Sequence, residues 1–261
     1  MRVDAQVSLG NRLLVVVAHQ DDEVTCSVLL QRTPEALIVF ATDGAPSAEF
    51  FWSSYGSQRR YAEVRHAEAL KSVGVLDNVK AIFLKDGTTD VPFRDQELFR
   101  SLSSAGKALE AITHQFRPDA LLAPAYEGGH PDHDVCNFLV NTVGRALVIP
   151  RWEMPLYHRS PNGSLVRQKF RVSRGGEILL HPSQLELKRR GEMLSKYVSQ
   201  PDLPKFIAEE VERFRPQPDY DYFQPPHSGA LNYEVWGWPI TGSDVCAAFQ
   251  SYGQRRTSAS V

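Results

Sequence analysis

Cysteine is scarce in this sequence, and its three copies are far apart. They are Cys26, Cys136 and Cys246 in a chain of 261 residues, and no two of them form a CxxC pair. A disulfide framework needs closely spaced, even-numbered cysteines, and a thiolate metal site needs paired ones. We therefore expect three small buried thiols in a reducing compartment.

The sequence also lacks a surplus of charge and a long hydrophobic run. Its formal net charge of -2 offers no basic surface for a nucleic acid. No apolar stretch approaches the ~20 residues needed to span a bilayer. Residues 1–6 show no charged region followed by a long apolar core, so we expect no secretory leader. These absences predict a cytoplasmic protein with neither a nucleic acid nor a membrane as partner.

Short apolar runs alternate with amphipathic stretches over the first 160 residues. Four runs are typical of buried parallel strands, namely Leu13–Ala18, Ala36–Ala41, Val79–Leu84 and Ala120–Ala125. Helical patterns lie between them, at Val24–Gln31, Gln58–Val73 and Asp95–Phe116. This alternation predicts an α/β fold with a Rossmann-like, doubly wound and mostly parallel sheet.

The pattern changes after residue 160. Leu165–Val172 and Glu177–Leu180 flank a glycine-rich turn and predict an antiparallel hairpin. Helices are predicted over Ser183–Val198, with a capping box at its start, and over Leu203–Phe214. A proline- and aromatic-rich segment, Pro216–Pro239, follows.

These changes predict a division of the chain into three parts. Residues 1–160 form the Rossmann-like catalytic core. Residues 161–253 form a small C-terminal α+β cap of hairpin, helices and aromatic loop that packs on the core as one structural unit. Residues 254–261 form a flexible tail.

The first polar motif, at residues 18–23, follows the first predicted strand directly. Parallel strands present their carboxyl ends at one edge of a sheet, where ligands bind. His19 and Asp22 are three residues apart and share one face if a helix begins here, so they can converge on a metal ion. Asp21 then points elsewhere and stays free for proton transfer. The alternative is an acidic helix N-terminus that binds nothing.

The second motif, at residues 130–133, follows the fourth predicted strand. Pro131 suits the first position of a helix, with His130 as its cap and His133 in the first turn. Two strand-to-helix junctions thus each carry histidine and carboxylate side chains. Two histidines and one carboxylate are a recurring catalytic zinc set.

With these residues in view, the sequence resembles the PIG-L/LmbE-like metal-dependent de-N-acetylases. The first family motif, A-H-P-D-D-E, corresponds to residues 18–23 with Gln20 in place of proline, and the second, H-P-D-H, is intact at residues 130–133. Softer similarities extend over most of the chain, at Thr42–Gly44, Arg65, Glu68, Asp86–Gly87, Tyr197, Ser199 and Gln200. The usual proline bears no functional atom, so Gln20 removes no ligand.

The resemblance implies a role for each motif residue. His19, Asp22 and His133 would bind one Zn²⁺ per chain, although other divalent metals suit the same ligands. Asp21 would be the general base, and His130 would stabilise the oxyanion. Some members carry a tyrosine two residues before the second-motif histidine, where Gly128 stands in this sequence. Tyr126 or a residue of the aromatic C-terminal region would have to substitute for it, and that role stays open.

Four further residues are predicted to bind substrate. Arg65 matches a substrate-binding arginine of some family members, with an ion pair to Glu68 as the alternative. Asp86 follows the third predicted strand and offers hydrogen bonds to hydroxyl groups. Asp43 either touches the ligand or only caps its own loop. His227 lies in a proline-rich loop that can reach the pocket.

The implied reaction is hydrolysis of the N-acetyl (N-acyl) group of an amino sugar, such as N-acetylglucosamine, or of a glycoconjugate. Zinc would activate the attacking water, Asp21 would take its proton, and His130 would stabilise the oxyanion. Aromatic stretches at Phe50–Tyr55 and Tyr220–Trp238 predict an extended substrate, unless they merely pack on each other as a lid.

Two other functions remain compatible with the sequence. A metal-dependent nucleotide-sugar transferase would use the adjacent acids but leaves the downstream histidines unexplained. A catalytically silent carbohydrate-binding protein on the same fold would have no use for Asp21. A homo-oligomer is compatible with the sequence.

Overall fold

The structure is a computed structural model that describes residues 9–258, with side chains through residue 254. Within that range the strands are β1 (Arg12–Val17), β2 (Glu35–Phe40), β3 (Val79–Phe83), β4 (Ala120–Pro124), β5 (Arg151–Met154), β6 (Tyr157–Arg159), β7 (Leu165–Arg167), β8 (Ile178–Leu180) and β9 (Glu212–Pro216). The α-helices are α1 (Ser27–Arg32), α2 (Gln58–Val73), α3 (Leu102–Phe116), α4 (Pro131–Ala146), α5 (Gln184–Leu194), α6 (Leu203–Phe206), α7 (Asn232–Val235) and α8 (Gly242–Ser258). Short 3-10 helices lie at Asp22–Cys26, Glu49–Phe51, Ser53–Tyr55 and Leu98–Ser101.

Strand β1 is the middle one of five parallel strands in the main sheet, whose full order is β3-β2-β1-β4-β5-β9-β8. The first five strands in this order pair in parallel. Strand β9 then pairs antiparallel with β5, and β8 pairs antiparallel with β9. The sheet is therefore mostly parallel and Rossmann-like, as predicted.

Helices cover both faces of this sheet, which explains the continuous apolar run of β1. Leu14 and Val16 point into a core shared with α3, α4 and α8. Leu13, Val15 and Val17 point into a second core, shared with α1, α2 and α5. A strand buried on both faces has no solvent side, so its sequence does not alternate.

The predicted antiparallel hairpin after residue 160 is wrong. Strand β7 pairs with β6, the segment just before it in the chain. Strand β8 pairs instead with β9, which lies more than thirty residues further on. The glycine-rich turn joins two strands that belong to different sheets.

The predicted helix Leu203–Phe214 is also wrong in its second half. Helix α6 ends at Phe206, and β9 begins at Glu212. The Glu212 carboxylate accepts hydrogen bonds from the main-chain N–H groups of Val28 and Leu29, at the start of α1. This buried long-range contact fixes the segment as a sheet strand.

Other predictions for the C-terminal region can be compared directly. Helix α5 begins with the predicted capping box, since Ser183 and Glu186 exchange side-chain and main-chain hydrogen bonds. Helix α8 extends through Ser258, so it overlaps the predicted tail; residues 259–261 lie outside the described residues. The division at residue 160 stays a prediction.

Two further expectations concern the cysteine thiols and the apolar character of the helices. Cys26, Cys136 and Cys246 are free and buried. In the part of the chain that the structure describes, no helix combines the length and apolar character that crossing a membrane requires.

Candidate active site

The two polar motifs meet because β1 and β4 are neighbours in the sheet and end at the same edge. Asp22 Oδ2 lies 3.5 Å from His19 Nδ1 and 3.3 Å from His133 Nε2. All three side chains are buried, and their donor atoms lie within 4.8 Å of one another. One oxygen of Asp22 thus stands between an imidazole nitrogen from each junction.

The turn after β1 brings His19 and Asp22 together by local hydrogen bonds. The His19 N–H donates to Asp22 Oδ2 at 2.9 Å, and the Asp22 N–H donates to the His19 carbonyl at 3.3 Å. The residue between them, Asp21, has φ 129° and ψ -25°. A residue other than glycine in such a conformation costs of order 1–3 kcal/mol, so the surrounding contacts must hold it.

The three side chains fit a divalent cation. His133 Nε2 is buried without a hydrogen-bond partner among the described residues. Burial alone would raise the pKa of Asp22, but His133 and His19 hold it well below its usual range. Two imidazole nitrogens and an ionised carboxylate are the donor set of many catalytic zinc sites.

Asp95 is a site residue that the sequence did not reveal. Its Oδ1 lies 3.1 Å from His19 Nε2 and 3.4 Å from His130 Nε2. The predicted helix Asp95–Phe116 begins only at Leu98, as a 3-10 turn that leads into α3, because Gln96 has φ 68° and lies outside the helical region. The Asp132 carboxylate holds this turn by accepting the main-chain N–H groups of Gln96 and Leu98. Asp95 therefore stays in a loop, with its side chain among the histidines.

The carboxylate of Asp95 determines which nitrogen of His19 faces Asp22. Burial would raise the pKa of Asp95, but His19 and His130 hold it well below its usual range, so Asp95 only accepts hydrogen bonds. His19 Nε2 is then a donor to Asp95, and Nδ1 is the nitrogen that faces Asp22. Burial would lower the pKa of His19, but Asp95, Asp132 and Asp22 hold it well above its ordinary 6.5 in the metal-free protein, so a metal that binds at Nδ1 would displace a proton. Metal-binding histidines commonly donate their second N–H to a carboxylate in this way.

His130 carries its proton on Nε2, the nitrogen that lies beside Asp95. Its Nδ1 accepts a hydrogen bond from the Asp132 N–H at 3.1 Å, as the N-terminal cap of α4. Burial and the neighbouring His19 lower the pKa of His130 to about 4, so the ring is neutral near pH 7. Its Nε2–H is therefore a neutral donor, and it faces Asp95 Oδ1 at 3.4 Å.

Asp21 faces the cleft but belongs to neither group of side chains that can hold an ion. Burial raises the pKa of its carboxyl to about 7, against the lowering effect of Arg65. Arg65 Nη2 donates to Asp21 Oδ2 at 2.9 Å. Glu68, the alternative partner considered for Arg65, instead accepts hydrogen bonds from Ser199.

Gln20 stands where the family motif has proline, and its side chain turns away from the histidines. Gln20 Nε2 donates to the Thr42 carbonyl at 2.9 Å, and the main-chain carbonyl of Gln20 accepts a hydrogen bond from Arg65. The side-chain amide of Gln20 packs against Gly44, which has φ +64°. A Cβ built at Gly44 would stand only 1.9 Å from Gln20 Oε1. Arg65 also donates to the Gly44 carbonyl at 2.7 Å.

The other predicted substrate-binding residues lie outside the cleft lining. Asp43 Oδ1 accepts the main-chain N–H of Asp95 at 3.0 Å and so supports the loop behind the site. Asp86 Oδ1 accepts two N–H groups of its own loop. His227 Nδ1 lies 2.9 Å from the Ser228 carbonyl, in the proline-rich loop.

The cleft has a volume of about 500 Å³ and two unlike sides. Its polar side holds the histidines and aspartates described above. Its other side is apolar, and we call it the apolar wall: Pro46, Phe51, Leu156, Tyr157, Leu203, Phe206, Ile207, Trp236 and Trp238. The wall reaches the polar side directly, since the rings of Trp238 and His130 lie 4.9 Å apart and those of Tyr157 and His133 lie 5.3 Å apart.

Both predicted aromatic stretches contribute to this wall, through Phe51 in one and Trp236 and Trp238 in the other. Tyr157, at the start of β6, also belongs to it and was not singled out from the sequence. Tyr126, considered as a substitute for the missing tyrosine, donates to the Gln224 carbonyl and does not line the cleft.

Comparisons with known proteins agree with this architecture. Residues 14–143, which include both motifs, match the family model "PIG-L: GlcNAc-PI de-N-acetylase". No curated protein matches the chain.

Solved structures share the fold. A triple mutant of a deacetylase of teicoplanin biosynthesis has a TM-score of 0.62 at 16% identity, covering 80% of this chain and 99% of that one. The A40926 pseudoaglycone deacetylase Dbv21 has a TM-score of 0.59 at 14% identity, covering 79% of this chain and 96% of that one.

Proposed function

The chain belongs to the PIG-L family through residues 14–143, and we propose that it is a metal-dependent hydrolase that removes the N-acetyl (N-acyl) group from an amino sugar or glycoconjugate. The observation that carries this proposal is the arrangement around Asp22 Oδ2. Nitrogens of His19 and His133 lie within 3.5 Å of that oxygen, and Asp21 stands beside them with a carboxyl that is not needed as a ligand.

We assign His19, Asp22 and His133 as the ligands of one Zn²⁺. The buried Nε2 of His133, which has no hydrogen-bond partner among the described residues, and the position of His19 Nδ1 beside Asp22 support this assignment. A bound divalent metal supplies Lewis-acid chemistry, lowering the pKa of water and polarising a carbonyl group.

Asp21 would take a proton from the attacking water and return it to the leaving amine. A carboxyl with a pKa of about 7 suits both steps, because it exchanges its proton near neutral pH. Arg65 keeps one of its oxygens in place, since Nη2 donates to Asp21 Oδ2. The other oxygen is then left for the water.

His130 would donate its Nε2–H to the oxygen that becomes negative when the amide carbon turns tetrahedral. The ring is neutral and its tautomer is set by the Asp132 N–H, so the donor exists before substrate arrives. The same N–H faces Asp95 Oδ1 at 3.4 Å, so the oxyanion would share this donor with Asp95.

The substrate would be an N-acetylated amino sugar carried by a larger glycoside or glycoconjugate. An acetyl group alone offers one methyl to the apolar wall, which includes nine side chains. Phe51 and Trp236 in that wall are each 39% exposed, and aromatic faces of this kind can stack on sugar rings or on apolar aglycones. Arg65, Gln200 and Asp202 line the same cleft and can bind hydroxyl groups.

Metal analysis combined with an acetate-release assay tests the proposal. We expect about one zinc per chain, and release of acetate from N-acetylglucosamine or its glycosides that chelation abolishes and zinc restores. His133→Ala should lose both metal and activity, whereas His181→Ala, at an exposed histidine, should keep both.

Two outcomes would contradict parts of this proposal. Full metal occupancy in His133→Ala would remove His133 from the ligand set. Bound metal without acetate release from any N-acetyl sugar would favour a silent binding protein or an amide hydrolase for other substrates.

A further inference from the structure

Glu23 is a fully buried carboxyl that the proposed reaction does not use. Its side chain is 0% exposed, and it does not line the cleft. The hydrogen-bond donors to its carboxylate are neutral groups from three parts of the chain. An ionisable side chain buried in this way needs a reason beyond packing, because desolvation disfavours its charged form.

The two oxygens of Glu23 have different partners. Oε1 accepts hydrogen bonds from Tyr197 Oη at 2.6 Å and from Ser72 Oγ at 2.8 Å. Oε2 accepts the main-chain N–H of Asp21 at 3.1 Å. Tyr197, after α5, and Ser72, in α2, thus orient the carboxylate, and its second oxygen faces the main chain of Asp21.

Asp21 is the residue of this turn whose main chain most needs such support. Its φ of 129° lies in the region that favours glycine. Its carbonyl accepts a hydrogen bond from the Val24 N–H, and its carboxylate accepts one from Arg65. Its own N–H donates to Glu23 Oε2.

We propose that Glu23 is a positioning residue for the general base. It holds the main chain of Asp21 in the strained conformation that directs the Asp21 carboxylate into the cleft, and Tyr197 and Ser72 hold Glu23 in turn. This inference rests on the proposed role of Asp21 in proton transfer.

A double-mutant cycle between Tyr197 and Asp21 tests the proposal. Tyr197→Phe removes the Oη–H donor and keeps the ring, and Tyr197 does not line the cleft. We expect kcat to fall roughly tenfold, as when a reacting group is slightly misplaced, with KM and zinc content within about twofold of the wild type. In the Asp21→Asn background the same change should have almost no effect on the residual kcat, because its action passes through Asp21.

Tyr220→Phe is the matched control. Tyr220 also donates its Oη–H to a buried carboxylate, that of Glu153, at 2.8 Å, but outside the cleft. It should cost comparable stability and leave kcat unchanged. An equal loss of kcat from Tyr197→Phe in the wild-type and Asp21→Asn backgrounds would overturn the proposal, as would a kcat for Tyr197→Phe within twofold of the wild type.

Hydrogen exchange at the Asp21 amide supplies a measurement that does not depend on the reaction. We expect that amide to exchange faster in Tyr197→Phe and in Glu23→Gln than in the wild type, while amides in β4 stay protected. Unchanged protection of Asp21 in both variants would overturn the positioning role even if no substrate were found. Wild-type protein without activity but with the expected exchange would instead count against the proposed function.

Discussion

The polar side of the cleft and its apolar wall are built in opposite ways. The polar side is buried, with His19, His130 and His133 all under a tenth exposed, and fixed by hydrogen bonds between its members and nearby main chain. The wall is partly open, since the side chains of Phe51 and Trp236 are partly exposed to solvent. Chemistry needs groups held in advance of the substrate, whereas binding an apolar surface needs only area. We therefore expect substitutions on the polar side to lower kcat, and substitutions in the apolar wall to lower kcat/KM for extended substrates.

The largest effect should come from Asp21→Asn. The amide cannot accept a proton, so kcat should fall by roughly 10²–10⁴-fold, the usual range for loss of general-base catalysis. Zinc content should not change, because Asp21 is not among the proposed ligands. Steady-state kinetics with metal analysis measures both, with the exposed Asp219→Asn as control. Release of zinc from Asp21→Asn would reverse the roles of Asp21 and Asp22.

His130→Ala should come next. Loss of one preorganised donor typically lowers kcat by roughly 10²–10³-fold, and KM should change little, since the donor acts on charge that develops in the transition state. Turnover measured on zinc-loaded protein provides the check. Near-normal turnover would exclude His130 from the reaction and weaken the distinction between the two sides.

The polar side should also make stability depend on pH. Burial raises the pKa of Asp21 from its ordinary 3.8 to about 7, so the folded state holds a proton that the unfolded state has released between those values. The stabilising contribution is complete below about pH 4 and is lost as the pH rises to about 7. In metal-free protein, Asp21→Asn should flatten this decline by about 2 kcal/mol, visible as a smaller drop in Tm between pH 5 and pH 8. A steeper decline in the variant would show that Arg65 lowers the pKa of Asp21 more than burial raises it.

The smallest effect should come from the apolar wall. Trp236→Ala should lower kcat/KM for an extended glycoside by about tenfold, or about 1.4 kcal/mol, through lost apolar burial. Free N-acetylglucosamine should lose less, because it reaches less of the wall. Val235→Ala, at an exposed neighbour that does not line the cleft, is the control. Equal losses for the two substrates would contradict the extended-substrate interpretation.

The parallel half of the fold could be predicted because its signals are local. The apolar run of β1 and the polar motif after it lie within about ten residues of one another, and the same holds for β4 and the second motif. Parallel pairing then brings both motifs to one edge without any further information. The placement of His19, Asp22 and His133 around one point follows from these elements.

The positions of Asp95 and of the segment Leu203–Phe214 could not be predicted, because they depend on contacts with residues far away in the chain. Asp95 lies at the site because Gln96 adopts a φ of 68°, and the distant Asp132 carboxylate holds this turn by accepting the N–H groups of Gln96 and Leu98. The segment Leu203–Phe214 has a helical pattern, yet Glu212 is bound to the start of α1 and makes its second half a strand. Sequence periodicity carries no record of such long-range contacts, so local propensity is overruled.

The contact between Gln20 and Gly44 restricts the order in which this chain can evolve. A side chain at position 44 would collide with the Gln20 amide and would also adopt an unfavourable φ of +64°. Proline at position 20, as in the family motif, removes the amide and with it the first of these obstacles, though not the second. Substitutions at position 44 should therefore cost less stability after position 20 has changed than before, and libraries that vary the two positions together should tolerate position 44 better than single-site libraries do.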